Sequence, residues 1–290
     1  MIKEQPVIWI QGAGCTGCSV SLMNCASPTI RNLLLDEIVP GQHISLLFHP
    51  TLMAASGDLA IEVMLDKKRE SGYLLVIEGA IPTARGGIFA TVGEENEKPI
   101  TVYSQFKDLA KNATAVIAIG NCAAFGGIPA ARPNPTGAKS AGEIIEEENL
   151  STPYINVPGC PPHPDWFVAT VSDIILHGLP SPEKLDELHR PKFIYGQLIH
   201  ENCPRRPYFD EGKFARNFGE EGCLYELGCK GPFTYSDCPI RHWNDGVNWV
   251  IGAGSPCLGC TEPLFPDISG PFYRKISEWQ KLKVKTRKEN

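Results

Sequence analysis

Three short apolar runs in the first part of the chain each end in a loop that carries cysteine. Gln11-Gly12-Ala13-Gly14-Cys15-Thr16-Gly17-Cys18 follows the run 6–11, Gly120-Asn121-Cys122 follows 115–119, and Pro158-Gly159-Cys160-Pro161-Pro162 follows 154–157. Two more runs of the same kind lie at 43–48 and 73–77. Each is bounded by Gly, Pro or Asn and reads as a strand. Helical stretches are expected at 19–38, kinked at Pro28, and at 58–70, 105–112, 139–149 and 164–177. Strands alternating with helices make βαβ units, so an α/β fold with a mainly parallel, doubly wound sheet is expected. Ligands of such a sheet gather beyond the carboxyl ends of its strands. Cys15, Cys18, Cys122 and Cys160 can therefore reach one place from three distant segments.

The chain has 290 residues, enough for two domains. Residues 1–180 hold the alternating pattern. Residues 181–290 are rich in Gly, Pro, Cys and aromatics and poor in periodic segments, so bound metal is expected to hold them together. A net charge of −6 disfavours nucleic acid as a partner. No apolar run reaches membrane-span length, and the first residues do not resemble a signal peptide. The eleven cysteines could form five disulfides with one left over, but that pattern belongs to small loop-rich secreted chains.

A Cys-x-x-Cys pair followed by two single cysteines suffices for a 4Fe–4S cluster, and the surrounding glycines let backbone N–H groups approach the sulfurs. Two other readings fit the same loop. Gly12-x-Gly14-x-x-Gly17 matches a dinucleotide fingerprint, although two cysteines interrupt it and the second strand ends in Phe48-His49-Pro50 without an acid. A thioredoxin-like dithiol at Cys15 and Cys18 leaves Cys122 and Cys160 unexplained. Downstream, His200 stands three residues before Cys203, with Cys223 and Cys229 following. Such a set suits zinc, or a cluster with one unusual ligand. Cys238, Cys257 and Cys260 supply three thiolates, enough for 3Fe–4S or for a cube with one other ligand. Cys25 reads as a buried structural thiol. Glu78 reads as a buried carboxylate near the first set, a helix cap or a surface group. His163 is a candidate donor toward the first set, and the other histidines read as structural or solvated. Three such sites suggest an electron conductor, with a zinc-stabilised binding module as the contrasting reading.

The segments Cys15-Thr16-Gly17-Cys18, Gly120-Asn121-Cys122-Ala123, Asn156-Val157-Pro158-Gly159-Cys160-Pro161-Pro162-His163-Pro164, His200-x-x-Cys203-Pro204-Arg205-Arg206, Cys223-Leu224-Tyr225-x-Leu227-Gly228-Cys229-Lys230-Gly231-Pro232 and Pro256-Cys257-Leu258-Gly259-Cys260-x-Glu262-Pro263 together resemble the small subunit of nickel–iron hydrogenases. Glu78-Gly79-Ala80-Ile81-Pro82 fits a further motif of that family, near the contact with the large subunit. The resemblance implies a flavodoxin-like domain followed by a loop-rich iron–sulfur domain. It implies a large partner subunit bearing the nickel–iron site, where dihydrogen is interconverted with two protons and two electrons. It assigns Cys15, Cys18, Cys122 and Cys160 to a proximal 4Fe–4S cluster. Cys238, Cys257 and Cys260 fall to the medial cluster, and His200, Cys203, Cys223 and Cys229 to a distal 4Fe–4S cluster. Electrons would leave at the distal site to a carrier such as a multihaem cytochrome c (cytochrome c3).

Gly14 and Val20 replace glutamates common in relatives, and Cys18-Ser19-Val20-Ser21 resembles the nickel–iron–selenium branch, whose selenocysteine lies on the partner. The standard branch has a proline after the tryptophan and a medial 3Fe–4S. The selenium branch is expected to have an extra cysteine and a medial 4Fe–4S. Trp249-Val250 has no such proline and no fourth cysteine is evident, so ligand count favours 3Fe–4S, with 4Fe–4S as the alternative. Relatives are exported with their partner, which implies a periplasmic mature chain whose export signal has been removed, with membrane association through other parts as a variant of that expectation.

Overall fold

The computed structural model describes residues 3–29, 31, 32, 42–68, 71–263, 265 and 267–275. The chain divides into two compact units, Met1–Phe193 and Ile194–Asn290. Numbering only the strands of the main sheet, the first unit contains β1 (Lys3–Gln11), β2 (Gln42–Phe48), β3 (Leu74–Glu78), β4 (Ala115–Ile119) and β5 (Tyr154–Val157). They lie in the order β2-β1-β3-β4-β5, every pair parallel. This is the flavodoxin-like order, with its switch point between β1 and β3. All residues of β3 and β4 are buried. Covering on both faces explains why Leu74-Leu75-Val76-Ile77 and Ala115-Val116-Ile117-Ala118-Ile119 are continuous apolar runs rather than alternating ones.

The register carries the functional consequence. Gln11 pairs with Glu78, Glu78 with Ile119 and Ile119 with Val157. The last residues of four strands therefore stand level, and the segments that follow them leave the sheet along one edge.

Helices α1 (Gly17–Leu22), α2 (Gly57–Lys68), α3 (Val102–Asn112), α4 (Gly120–Phe125), α5 (Ala141–Glu147) and α6 (Pro164–His177) connect the strands. Their starts follow local capping chemistry. The Thr101 hydroxyl accepts the Ser104 N–H, which starts α3 ahead of the expected residue 105. Ser140 and Glu143 form a reciprocal capping box on α5, and the His163 ring accepts the Asp165 N–H at α6. The single kinked helix expected over 19–38 does not form. α1 stops at Leu22, and residues 25–29 around Pro28 are non-helical, because a proline disfavours helical backbone in the residue before it. Residues 30 and 33–38 of that expectation, and residues 69–70 of the helix expected over 58–70, lie outside the described residues.

The core under the sheet gathers Ile8, Ile10, Met64, Phe106 and Leu109, and the buried Tyr73 hydroxyl donates to the Leu109 carbonyl at 2.6 Å. The first unit continues past Pro180 because the following segment folds back on it. The Asn156 N–H donates to the His189 carbonyl at 2.9 Å and the Asn156 side chain to the Leu188 carbonyl at 2.8 Å. Tyr154 stacks on His189 with ring centroids 4.2 Å apart. The second unit, as its composition predicts, is made of short 3-10 turns and one-turn helices such as Arg206–Asp210 and Cys238–Arg241.

Candidate metal centres

The first set forms at the level edge of the sheet. Cys15 and Cys18 follow β1, and Cys160 follows β5. Cys122 sits on α4, which begins directly after β4, rather than in the loop its glycine suggested. Gly120 makes that turn with φ of 85°, and a Cβ there would stand 2.4 Å from the Cys18 sulfur, so only glycine fits. Gly127 likewise leaves room for Cys122, whose sulfur would be 2.9 Å from an added Cβ. Burial first, and then the charges of Glu78, Cys122, Cys15 and Cys160, push the Cys18 thiol well above its ordinary range. That single environment brings together all four predicted cysteines. Burial likewise lifts Cys122 to about 11, while the Ile128 N–H aimed at its sulfur opposes the rise. Cys15 and Cys160 are exposed, so one side of the set is open at the surface of this chain.

Glu78, the last residue of β3, organises the loop. It is 3% exposed and accepts five hydrogen bonds. Its Oε1 takes the N–H groups of Cys18 at 3.0 Å and Ser19 at 3.1 Å. Its Oε2 takes Trp9 Nε1 at 3.1 Å, Gln11 Nε2 at 2.9 Å and the Ser19 hydroxyl. The carboxylate thus caps the start of α1 and anchors the Cys-x-x-Cys loop, combining two of the roles expected of it. Behind it, buried His49 accepts the Thr51 N–H on Nδ1, which leaves Nε2–H to donate to the Ser19 hydroxyl at 3.2 Å. His163 acts through its Nδ1 as a helix cap rather than as a donor at that atom.

In the second unit His200, Cys203, Cys223 and Cys229 line one small pocket. The edge of Phe209 meets the His200 ring with centroids 4.6 Å apart, and Phe209 is itself flanked edge-on by Phe214 and Tyr225. Phe209, braced by these two rings, packs against the imidazole, and little in the linear order of residues signals it. Burial lowers the His200 pKa, which favours the neutral ring that a metal ligand needs. Cys238, Cys257 and Cys260 form the other set. Burial foremost, then the charges of Cys229, Cys260 and Cys238, raise the Cys257 thiol far above its ordinary range. A backbone motif repeats across both sets. The sulfur of Cys203 receives the N–H of Arg205, Cys223 that of Tyr225, Cys229 that of Gly231, and Cys257 that of Gly259. Each donor lies two residues after its cysteine, and such donors favour thiolate over thiol. Cys25 is buried, as expected of a structural thiol.

The donor sets fit iron–sulfur clusters better than single ions. Among the described residues no three His, Cys, Asp or Glu side chains converge tightly enough to hold one metal ion. Zinc would need them about 2.3 Å from a common point, whereas a cluster places several atoms between its thiolates and needs a wider cradle. Buried thiols raised this far stay protonated unless cationic metal offsets the cost of ionising them.

Comparison with known proteins agrees with this geometry. Residues 195–273 match the model of the C-terminal region of the NiFe/NiFeSe hydrogenase small subunit, and residues 15–174 match that of the NADH ubiquinone oxidoreductase 20 kDa subunit. The periplasmic [NiFeSe] hydrogenase small subunit of Desulfomicrobium baculatum is 46% identical over 93% of this chain and 87% of its own length. The hydrogenase-2 small chain of Escherichia coli K12 is 44% identical over 90% of this chain and 68% of its own. A crystal structure of the H2-activated Desulfomicrobium baculatum [NiFeSe]-hydrogenase superimposes with a TM-score of 0.87 at 44% identity, covering 94% of this chain and 99% of that one. The hydrogenase-specific match lies on the cysteine-rich second unit, whereas the NADH ubiquinone oxidoreductase match lies within the first. The chain belongs to the NiFe/NiFeSe hydrogenase small-subunit family.

Proposed function

We propose that this chain is the electron-transfer subunit of a heterodimeric hydrogenase and relays electrons through three iron–sulfur clusters. The nickel–iron site lies on the large subunit, where H2 is interconverted with 2 H+ and 2 e−. A cluster at each cysteine set supplies a one-electron store. Cys15, Cys18, Cys122 and Cys160 hold the proximal 4Fe–4S, and Cys238, Cys257 and Cys260 a medial 3Fe–4S. His200, Cys203, Cys223 and Cys229 hold the distal 4Fe–4S. The first unit, 1–180 with its fold-back to Phe193, carries the proximal set, and the remainder carries the other two.

The observation that most supports this reading is the convergence of four thiols at one edge of the parallel sheet, with Cys15 and Cys160 exposed. Val20 on α1 and Met23 just past its end stand beside that edge, 50% and 46% exposed. Open thiols rimmed by bare apolar side chains suit a face covered by a partner, here the large subunit. At the distal set the half-buried His200 gives electrons an exit toward a carrier, for which a multihaem cytochrome c is the fitting class. Relatives named periplasmic make the periplasm the compartment proposed for the mature chain.

The test is the Cys18→Ala variant, produced with its large subunit. Loss of about four irons, with hydrogen-dependent dye reduction abolished, supports the reading. Full iron content and undiminished dye reduction would refute it.

A further inference from the structure

Lys230 is a buried lysine that the chain encloses without a carboxylate partner among the described residues. It is 2% exposed. Its ammonium spends all three donors on carbonyl oxygens: Gly228 at 2.7 Å, Arg274 at 2.7 Å and Phe272 at 3.2 Å. A buried cation held only by neutral carbonyls is costly unless opposite charge lies close by. Burial lowers its pKa, and among the described residues the groups that oppose this are the sulfurs of Cys229 and Cys257. These cysteines belong to different sets. Lys230 follows Cys229 directly, and its own N–H donates to the Cys257 carbonyl at 2.8 Å. The Cys257 N–H in turn points at the Cys229 sulfur. The backbone of Cys257 is therefore held at its N–H by a distal-set sulfur and at its carbonyl by the Lys230 N–H. Glycines keep the place tight. A Cβ on Gly228 would stand 2.4 Å from the Arg274 nitrogen, and one on Gly259 3.3 Å from the Lys230 Cβ.

We propose that Lys230 is a shared positive pole for the medial and distal clusters, placed at the junction of Cys229 and Cys257 so that it stabilises the reduced form of both. An added electron brings negative charge next to a fixed cation in a region that excludes water, so both reduction potentials rise together and stay matched for transfer between the two sites. The three carbonyls fix the ammonium without neutralising it. The inference rests on the cluster reading above.

The test uses the intact heterodimer and a redox titration followed by electron paramagnetic resonance. Lys230→Met removes the charge, Lys230→Gln removes it while keeping hydrogen-bond donors, and Lys230→Arg keeps it. In the two uncharged variants the medial and distal signals should titrate at lower potentials than in wild type, the proximal signal should not move, and the arginine variant should restore the wild-type order. If the uncharged variants hold full iron and all signals titrate at wild-type potentials, the proposal is overturned. If they lose the medial and distal iron while the arginine variant keeps it, Lys230 serves folding instead, which also overturns it. A wild-type complex with no medial or distal signal would refute the cluster reading itself.

Discussion

Removing the Glu78 side chain should loosen the Cys15–Cys18 loop long before it unfolds the sheet. In Glu78→Ala five hydrogen bonds vanish. Trp9 and Ser19, each 2% exposed, cannot turn to water instead. A buried donor left without an acceptor costs about 1–3 kcal/mol, so the Trp9 indole and the Ser19 N–H together cost about 2–6 kcal/mol. Glu78→Gln should cost less. Its carbonyl can still take the Cys18 and Ser19 N–H groups and the Ser19 hydroxyl can turn to accept, but its amide donors face Trp9 and Gln11. Native-state hydrogen exchange reads this locally. Protection of the Cys18 and Ser19 amides should fall at least ~30-fold in the alanine variant, from the lower bound at about 1.4 kcal/mol per tenfold, and less in the glutamine variant. Amides within β4 should be spared. Unchanged protection at Cys18 and Ser19 in Glu78→Ala would show that Glu78 does not anchor the loop.

Gly120→Ala forces a methyl against the Cys18 sulfur at a positive φ, so the complex should lose about four irons, measured by elemental analysis, while still binding its large subunit. His200→Ala should slow reduction of an external carrier far more than hydrogen isotope exchange, and an equal fall in both would exclude the distal exit. His49 is neutral because burial, against the opposing pull of Glu78, lowers its pKa to about 4 from 6.5. The unfolded chain takes up a proton that the folded one refuses, so stability is full above pH ~6.5 and falls by up to ~1.4 kcal/mol per unit as the pH drops toward 4. Urea midpoints across that range should fall less steeply for His49→Gln than for wild type.

What could be read from the sequence follows the range of the interactions. β4 and β5 lie at 115–119 and 154–157, where the sequence predicts them, because an apolar run closed by Gly, Asn or Pro is a local signal. The delivery of cysteines to one edge was legible because parallel topology fixes where strands end. Roles set by residues distant in sequence were not. The partners of Glu78 are supplied by β1 and α1, and the ring against His200 is Phe209, braced by Phe214 and Tyr225. Nothing adjacent to Lys230 marks it as buried, since its carbonyl cage includes Phe272 and Arg274. A local signal of the same kind sits at the hairpin of residues 91–95 and 98–101, whose turn residues, Asn96 and Glu97, have φ of 51° and 60°, the left-handed pair of a type I′ turn that asparagine favours.

That the three cysteine sets hold electron-conducting clusters is tested by the iron content of the purified heterodimer together with the paramagnetic resonance spectrum of the oxidised state. The prediction is about eleven irons on the small subunit, from two 4Fe–4S clusters and one 3Fe–4S, with an oxidised 3Fe–4S signal. A colourless protein with about three zinc ions per chain would contradict it.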